Sequence, residues 1–309
     1  MPPPKLPGVD VPVLPTPEAP ERGRVHARAS SSAGYPAGLR DLRDPPATVF
    51  VRGGELPGVR QAVAVVGSRA ASPYGVDQAH RLAGDLVRLG FVVVSGLARG
   101  IDAAAHRGAL AAAGRTVAVI PSGLDHITPP EHRPLADEIA VRGVLLSEWA
   151  SGGPRGPGVF VRRNRLIAAL ACATVVVEAA ARSGALSTAA AARRLGRPVL
   201  AVPGDVDRDT ARGCHALLRR GALVCEQAAD VLAAIGGAGG PAPADAGDPD
   251  AATPESRMLR AMDGVPRTVE TLAAAAGLSV PQALAALLAL QWAGAASAQP
   301  GQRWTRGGA

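Results

Sequence analysis

The main body of the chain alternates short apolar runs with segments of helical periodicity. None of the apolar runs alternates apolar with polar positions, so each is predicted to be a strand buried on both faces, as in a parallel sheet covered by helices. Six such runs end in glycine or polar residues: 62–68, 91–96, 116–123, 143–148, 173–179 and 197–204. Between the first two, an apolar helix face is predicted by the i, i+3, i+4, i+7 spacing of Ala79, Leu82, Ala83 and Leu86. This order of elements predicts a doubly wound α/β domain with ligands at the carboxyl ends of its strands.

The last 55 or so residues follow a different pattern. Helices are predicted over 255–262 and from Thr268 to Gly277, and Ser279-x-x-Gln282 is a capping box that opens a third helix. One face of the third helix is predicted to carry Leu284, Leu287, Leu288 and Trp292. Two short strands around Pro300-Gly301 then complete a winged-helix order. No Arg or Lys lies between Ser279 and Gln302. This favours protein contact or a structural role for the winged-helix domain, and DNA binding by its third helix stays as the alternative.

Breaks in composition divide the chain into four parts. Residues 1–33 are predicted to be a disordered, Pro-rich tail, and residues 34–235 the Rossmann-like domain. Residues 236–252 are predicted to be a flexible linker and 253–306 the winged-helix domain. The sequence has no signal-peptide pattern and no apolar run of membrane-spanning length, so we expect no membrane association.

Composition narrows the class of partner. The net charge is +7 and the calculated pI is about 10.5, which suits a polyanion such as nucleic acid, although a general arginine bias of the proteome gives the same values. Aromatic residues make up only 3% of the chain, so Ala, Val and Leu must fill the core. Cys172, Cys214 and Cys225 form no disulfide or zinc pattern. We therefore expect a cytoplasmic protein with neither a metal nor a cofactor.

The first predicted strand ends in Gly67-Ser68-Arg69, a combination suited to an anion. Glycine lets a ligand approach the backbone, the following helix N-terminus attracts phosphate, and Arg69 adds charged hydrogen bonds. The alternative is a tight turn with a solvated arginine.

The second strand ends in Ser95-Gly96, and a helix opens after Gly100 with Asp102 near its start. Asp102 is predicted to cap this helix and to pair with His106 at i+4. No Ser or Cys is placed to complete a catalytic triad with them.

The segment 159–192 has the composition of a single-strand binding site. Phe160 precedes Arg162, Arg163, Asn164 and Arg165, and an aromatic ring beside arginines can stack bases while the guanidinium groups contact phosphates. The alternative places Phe160 in the core. Downstream, the turn Arg182-Ser183-Gly184 and the pair Ser187-Thr188 lead into another helix N-terminus suited to an anion. The chain contains neither a GxxxxGK[ST] loop nor a GxGxxG after the first strand, so nucleotide triphosphatases and nicotinamide enzymes are poorly supported.

These blocks, together with YPAGLRDLRDPPATVFVRG (35–53), GLDHITPPEH (123–132), LLSEWASG (145–152) and RGCHALLRRGA (212–222), resemble the bacterial DNA-processing protein A group, also written DprA or Smf. The resemblance runs from Tyr35 to the last residues. It implies an extended Rossmann-like domain that binds single-stranded DNA, forms a homodimer and loads the RecA recombinase during natural transformation, without catalytic turnover.

The DNA site implied by the resemblance combines three segments. Its residues are Gly67, Ser68, Arg69, Phe160, Arg163, Asn164, Arg165, Ser183 and Gly184. A structural role around the pocket is assigned to Ser95, Gly96, Gly100, Asp102, His106 and Glu178. We expect Arg69 and Arg165 to line one cavity, with three or four arginines neutralising phosphates.

The alternative function is a nucleotide phosphoribohydrolase of the lysine-decarboxylase-like group, which uses a similar strand-to-helix junction. When Thr188 is placed on that group's threonine, Ala191 occupies the position of the catalytic glutamate. A methyl group cannot act as a general base, so this alternative would have to use Glu148 or Glu178.

Overall fold

The computed structural model describes residues 23–154, 156, 158–236, 254–262, 265–292, 295–299 and 303–306. The chain divides into two compact units, Met1–Pro241 and Ala242–Ala309, and each is described by itself.

A nine-stranded sheet forms the centre of the first unit in the part of the chain that the structure describes. Its strands are β1 (Val25–Ala29), β2 (Thr48–Gly53), β3 (Ala62–Val66), β4 (Val92–Ser95), β5 (Thr116–Val119), β6 (Val144–Ser147), β7 (Ala173–Val176), β8 (Val199–Ala201) and β9 (Leu223–Val224). The spatial order is β1-β2-β6-β5-β4-β3-β7-β8-β9. β1 and β2 pair antiparallel, as do β2 and β6, and the remaining pairs are parallel. All six strands predicted from the apolar runs are present as β3 to β8.

Helices cover both faces of this sheet. They are α1 (Pro73–Arg88), α2 (Ile101–Ala111), α3 (Arg133–Arg142), α4 (Gly158–Ala169), α5 (Ala185–Arg194), α6 (Arg212–Arg219) and α7 (Ala228–Gly236). The predicted face of α1 is confirmed, because Ala79, Leu82, Ala83 and Leu86 are buried. Every residue of β3 is buried as well, which explains why its sequence does not alternate.

The strand order creates a crevice in the middle of the sheet. From β3 the chain adds β4, β5 and β6 on one side, then crosses back to place β7 on the other side of β3. The loops that follow β3 and β7 therefore diverge at the carboxyl edge, which is where doubly wound folds bind ligands.

The prediction of a disordered tail over residues 1–33 was wrong for the part that the structure describes. Residues 25–29 form the edge strand β1, paired antiparallel with β2. Tyr35, just beyond the predicted tail, is buried and donates its hydroxyl to the carbonyl of Pro46. Residues 1–22, and the predicted linker beyond Gly236, lie outside the described residues.

The second unit has the winged-helix order predicted from the sequence. It contains α8 (Pro254–Ala261), β10 (Arg267–Thr268), α9 (Val269–Ala276), α10 (Val280–Trp292), β11 (Ala296–Gln299) and β12 (Arg303–Arg306). Thr268 caps α9 through the amide of Thr271, and Gly277 closes it with φ 62°. The two-residue strand β10 was not predicted.

The predicted apolar face of α10 needs a correction. Leu287 is buried, but Leu284 is 42% exposed, and the core of this unit is instead lined by Ala283, Ala286 and Leu290. The side chains of Leu288 and Trp292 lie outside the described part of the structure.

Among the described helices, none is by itself long and apolar enough to cross a membrane, and only the bent pair α9 and α10 reaches the required length and composition together.

Candidate functional site

A cleft of about 510 Å³ lies at the carboxyl edge of the sheet, where the loops after β3 and β7 diverge. The first turns of α4 and α5 form its other walls. Its lining includes Gly67, Ser68, Arg69, Ala98, Asp102, Phe160, Arg163, Asn164, Arg182, Ser183, Gly184 and Thr188. The structure thus brings together eight of the nine predicted DNA-binding residues.

Hydrogen bonds between neighbouring strand ends fix the shape of the cleft. The Ser68 amide donates to the carbonyl of Glu178, and the Ile101 amide donates to the carbonyl of Ser68. The Glu178 carboxylate accepts from the amide of Ser72 at 2.9 Å and from its hydroxyl at 3.3 Å. The buried Ser95 hydroxyl donates to the carbonyl of Val65 at 2.6 Å. Ser95 and Glu178 therefore hold the loop after β3 against β4 and β7.

Gly100 is required where two loops touch. Its φ is 71°, and an added Cβ would overlap the carbonyl oxygen of Ser68. A side chain here would push apart the loops that follow β3 and β4.

Arg163 forms the floor of the cleft rather than part of its open surface. Its side chain comes from α4, only 4% of the residue is exposed, and its guanidinium donates to the carbonyls of Gly96 at 2.6 Å and of Val119. Burial lowers the pKa of Arg163 to about 10, which Asp102 partly offsets by favouring the charged form. Burial also disfavours the charged form of Asp102, and for this acid it therefore raises the pKa. The floor is thus a buried cation that joins α4 to the ends of β4 and β5.

Asn164 also fixes the frame of the cleft. Its amide nitrogen donates to the carbonyl of Gly184 at 3.0 Å and to the Ser187 hydroxyl at 2.9 Å, while its oxygen accepts from Arg163. These bonds tie α4 to the first turn of α5.

Two arginines that line the cleft have exposed side chains. Arg69 follows β3, and Arg182 precedes α5. The Arg69 guanidinium carbon lies 4.2 Å from the centre of the Phe160 ring. Because the Arg163 guanidinium is hydrogen-bonded at the floor of the cleft, these two side chains present the accessible positive charge among the described lining residues.

Arg165 does not belong to the cleft, so the expectation that Arg69 and Arg165 line one cavity is wrong. The Arg165 guanidinium donates to the Glu148 carboxylate at 2.6 Å and to the carbonyl of Asp44 at 2.8 Å. Its side chain is 17% exposed. Successive residues on a helix are turned by roughly 100°, so Arg165 points away from the side that Arg163 occupies.

The predicted pair of Asp102 and His106 does not form either. Asp102 accepts from the amide of Ala98 at 3.3 Å, and the residue that precedes α2 is Gly100. His106 is completely buried and its Nδ1 lies 2.7 Å from the Thr116 hydroxyl, which itself donates to Val93. Asp102 therefore lines the cleft, whereas His106 lies in the core beside Thr116.

His106 makes stability depend on pH. Burial lowers the pKa of His106 to about 3, whereas histidine in an unfolded chain has a pKa of about 6.5. Protonation then favours the unfolded chain, so stability is complete above pH 6.5 and falls as the pH drops towards 3. Between pH 7 and 5 the wild type should lose about 2 kcal/mol more unfolding free energy than His106→Gln, measured by urea unfolding. Parallel losses in both proteins would contradict this assignment.

The structure gives no support to a hydrolase at this position. The Glu178 carboxylate accepts hydrogen bonds from Ser72. The Glu148 carboxylate forms salt bridges with Arg162 and Arg165. Ala191 is buried. Within the described residues, no group of three or more His, Cys, Asp or Glu side chains could hold a metal ion.

Two polar lining residues, Arg182 and Thr188, were not among the predicted site residues. Arg182 was identified only as part of a turn, although its position before a helix N-terminus is a usable signal. Thr188 is buried, and its hydroxyl has no hydrogen-bond partner in the described part of the chain. In the sequence, Thr188 was noted only as part of the Ser187-Thr188 pair that leads into this helix.

A model of the family described as DNA recombination-mediator protein A matches residues 26–236, and one of the DprA winged helix domain matches residues 241–302. A DNA processing protein DprA of Mycobacterium tuberculosis is 44% identical over 250 residues, which cover 79% of this chain and 64% of the relative. The chain therefore spans less than two thirds of the length of that relative.

Two solved structures share the fold. DNA processing protein A from Streptococcus pneumoniae has a TM-score of 0.64 and 37% identity, covering 69% of this chain and 75% of its own. DNA processing protein A from Helicobacter pylori, studied for its single-stranded DNA binding mode, has a TM-score of 0.60 and 28% identity, covering 68% of this chain and 94% of its own. The chain therefore belongs to the DNA recombination-mediator protein A family.

Proposed function

We propose that this protein binds single-stranded DNA in the cleft and does not cleave it. The observation that carries the proposal is the placement of two exposed arginines, Arg69 and Arg182, above the buried cation Arg163 at the switch point of the sheet. Phosphates are attracted by such a concentration of positive charge, which the N-terminal dipole of α5 increases. The family and the strand-binding relative from Helicobacter pylori support the same ligand.

The size of the cleft favours one strand over a duplex. A volume of about 510 Å³ is in the range of sites that enclose a single small molecule. A nucleotide of a flexible strand can turn into such a space, whereas the paired bases of a duplex stay stacked in the helix axis. Binding should therefore discriminate by strandedness rather than by sequence.

The test compares oligo-dT with a duplex of equal length, by fluorescence anisotropy at low salt. We expect binding of oligo-dT to be at least about tenfold tighter, a free-energy difference of about 1.4 kcal/mol. A control incubation with nucleoside monophosphates should release no ribose phosphate. Equal affinities for the two DNA forms, or turnover of the nucleotides, would contradict the proposal.

We further propose, on the ground of family membership, that a homodimer of this chain transfers bound strands to the RecA recombinase during natural transformation, in a cytoplasmic setting. Sedimentation at several protein concentrations tests the dimer. Strand exchange on DNA covered by single-strand binding protein tests the transfer, which should become faster when this protein is added.

A further inference from the structure

We propose that His132, which lies outside the cleft, is a positioning residue for strand binding, because it holds the loop after β4 in a strained conformation that shapes the cleft. The inference rests on the proposed binding of single strands. It gives a role to the segment GLDHITPPEH (123–132), a described segment that contributes no residue to the lining of the cleft.

The loop after β4 contains a leucine in a conformation that favours glycine. Leu97 has a φ of 58°, in the left-handed region, where the Cβ of an ordinary residue lies too close to the backbone. Its side chain is completely buried, in the same apolar cluster as Leu124 and Ile127 of the loop after β5. Such a conformation persists only where surrounding contacts hold it.

His132 makes the contact that fixes the backbone of Leu97. It ends the short 3-10 helix Pro130–His132 in the loop after β5, and only 6% of the residue is exposed. Its Nδ1 donates to the carbonyl of Leu97 at 2.9 Å, since a carbonyl oxygen can only accept. The neighbouring ion pair of Glu131 with Arg99 is exposed on both sides, so it contributes little. The buried hydrogen bond therefore holds this part of the loop.

Leu97 lies between two groups that belong to the cleft. The carbonyl of the preceding residue, Gly96, accepts from the buried Arg163 guanidinium at 2.6 Å. The amide of the following residue, Ala98, donates to the Asp102 carboxylate at 3.3 Å, and both of these residues line the cleft. If φ of Leu97 relaxed to a negative value, the peptide groups on its two sides would turn relative to each other, and the two hydrogen bonds would not both be kept. The support from the loop after β5 thus acts on a bound strand through one wall and the floor of the cleft.

Two substitutions of His132 separate the role of Nδ1 from loss of the ring. The side-chain nitrogen of Asn stands as many bonds from the backbone as Nδ1 of histidine, whereas that of Gln stands as far away as Nε2. His132→Asn should therefore restore the hydrogen bond to Leu97, and His132→Gln should lose it. His126→Gln, at an exposed position of the same loop, is the matched control.

Amide hydrogen exchange of the free, full chain measures the loop directly. In His132→Gln the amides of Ala98 and Ile101, which donate to Asp102 and to the carbonyl of Ser68, should exchange at least about tenfold faster than in the wild type. Affinity for oligo-dT should fall about three- to tenfold with an unchanged salt slope, because no phosphate contact is removed. His132→Asn and His126→Gln should match the wild type in both measurements.

Three results would overturn the inference: unchanged exchange of the loop amides in His132→Gln, faster exchange with unchanged affinity for oligo-dT, or equal losses in His132→Gln and His132→Asn. Faster exchange of the central strands alone belongs to the first case and would show a general structural role. If His132→Gln does not fold, His132→Asn still has to keep the exchange rates and the affinity of the wild type. A wild type that does not bind oligo-dT would instead refute the proposed function, and the exchange rates would still decide whether His132 holds the loop.

Discussion

Replacement of Arg163 by methionine should lower the free energy of unfolding by about 3–5 kcal/mol, the usual cost of removing one member of a buried charged network. The residue is 4% exposed, and its guanidinium donates to the carbonyls of Gly96 and Val119. Methionine fills a similar volume but removes the guanidinium donors to those carbonyls and the buried positive charge near Asp102. Urea unfolding at pH 7 measures the loss.

Arg162→Met is the matched control on the same helix. Its side chain is 56% exposed and lies 3.5 Å from the Glu148 carboxylate, so the loss should stay below about 1 kcal/mol. If Arg163→Met unfolds within about 1 kcal/mol of the wild type, Arg163 does not hold the floor of the cleft. The direct DNA contact that the family resemblance implies for Arg163 would then be the better explanation.

Reversal of both accessible charges, Arg69→Glu with Arg182→Glu, should weaken binding of oligo-dT by at least about 100-fold. Each arginine is expected to make charge-assisted hydrogen bonds worth about 1.5–3 kcal/mol, and a glutamate also repels phosphate. Since both side chains are exposed, the free energy of unfolding should change by less than about 0.5 kcal/mol per substitution. Fluorescence anisotropy at fixed salt gives the affinity.

The control has the same change in net charge at the opposite edge of the sheet. Arg88 and Arg194 are exposed and end α1 and α5, helices whose first turns lie at the cleft edge. Arg88→Glu with Arg194→Glu should alter the affinity by less than about threefold, since screening reduces effects beyond about 10 Å. Equal losses in the two double variants would mean that net charge, and not the cleft, governs binding.

The strands of the parallel sheet could be predicted from the sequence because burial on both faces leaves a direct mark, as the continuous run Ala62–Val66 shows. The sequence pattern of the edge strands β1 and β9 is weaker. β1 is partly exposed along its length and follows a Pro-rich segment, and β9 has only two residues. Pairing with a neighbouring strand, rather than local preference, determines such short strands.

The site could be predicted in part for a similar reason. Positions 67–69 and 183–184 follow strands that the topology makes neighbours, so their meeting follows from the fold. Phe160 and Arg163 are three residues apart on α4 and share a face, whereas Arg165 is turned by roughly 200° from Arg163. Arg162, Arg163 and Arg165 are close in sequence, but the helix turns Arg165 away from the cleft. The contact of Arg69 with Phe160 depends on two side chains from distant segments, and no local pattern encodes it.

The salt dependence of oligo-dT binding tests the central claim most directly. Three or four arginines were expected from the sequence to neutralise phosphates, but among the residues that the structure describes two are accessible in the cleft, Arg69 and Arg182. At about −0.7 per contact, the log–log slope should be close to −1.4 for the wild type. It should be close to −0.7 for Arg69→Ala. No binding at low salt, or a slope that Arg69→Ala leaves unchanged, would contradict a cleft that holds single strands through these arginines.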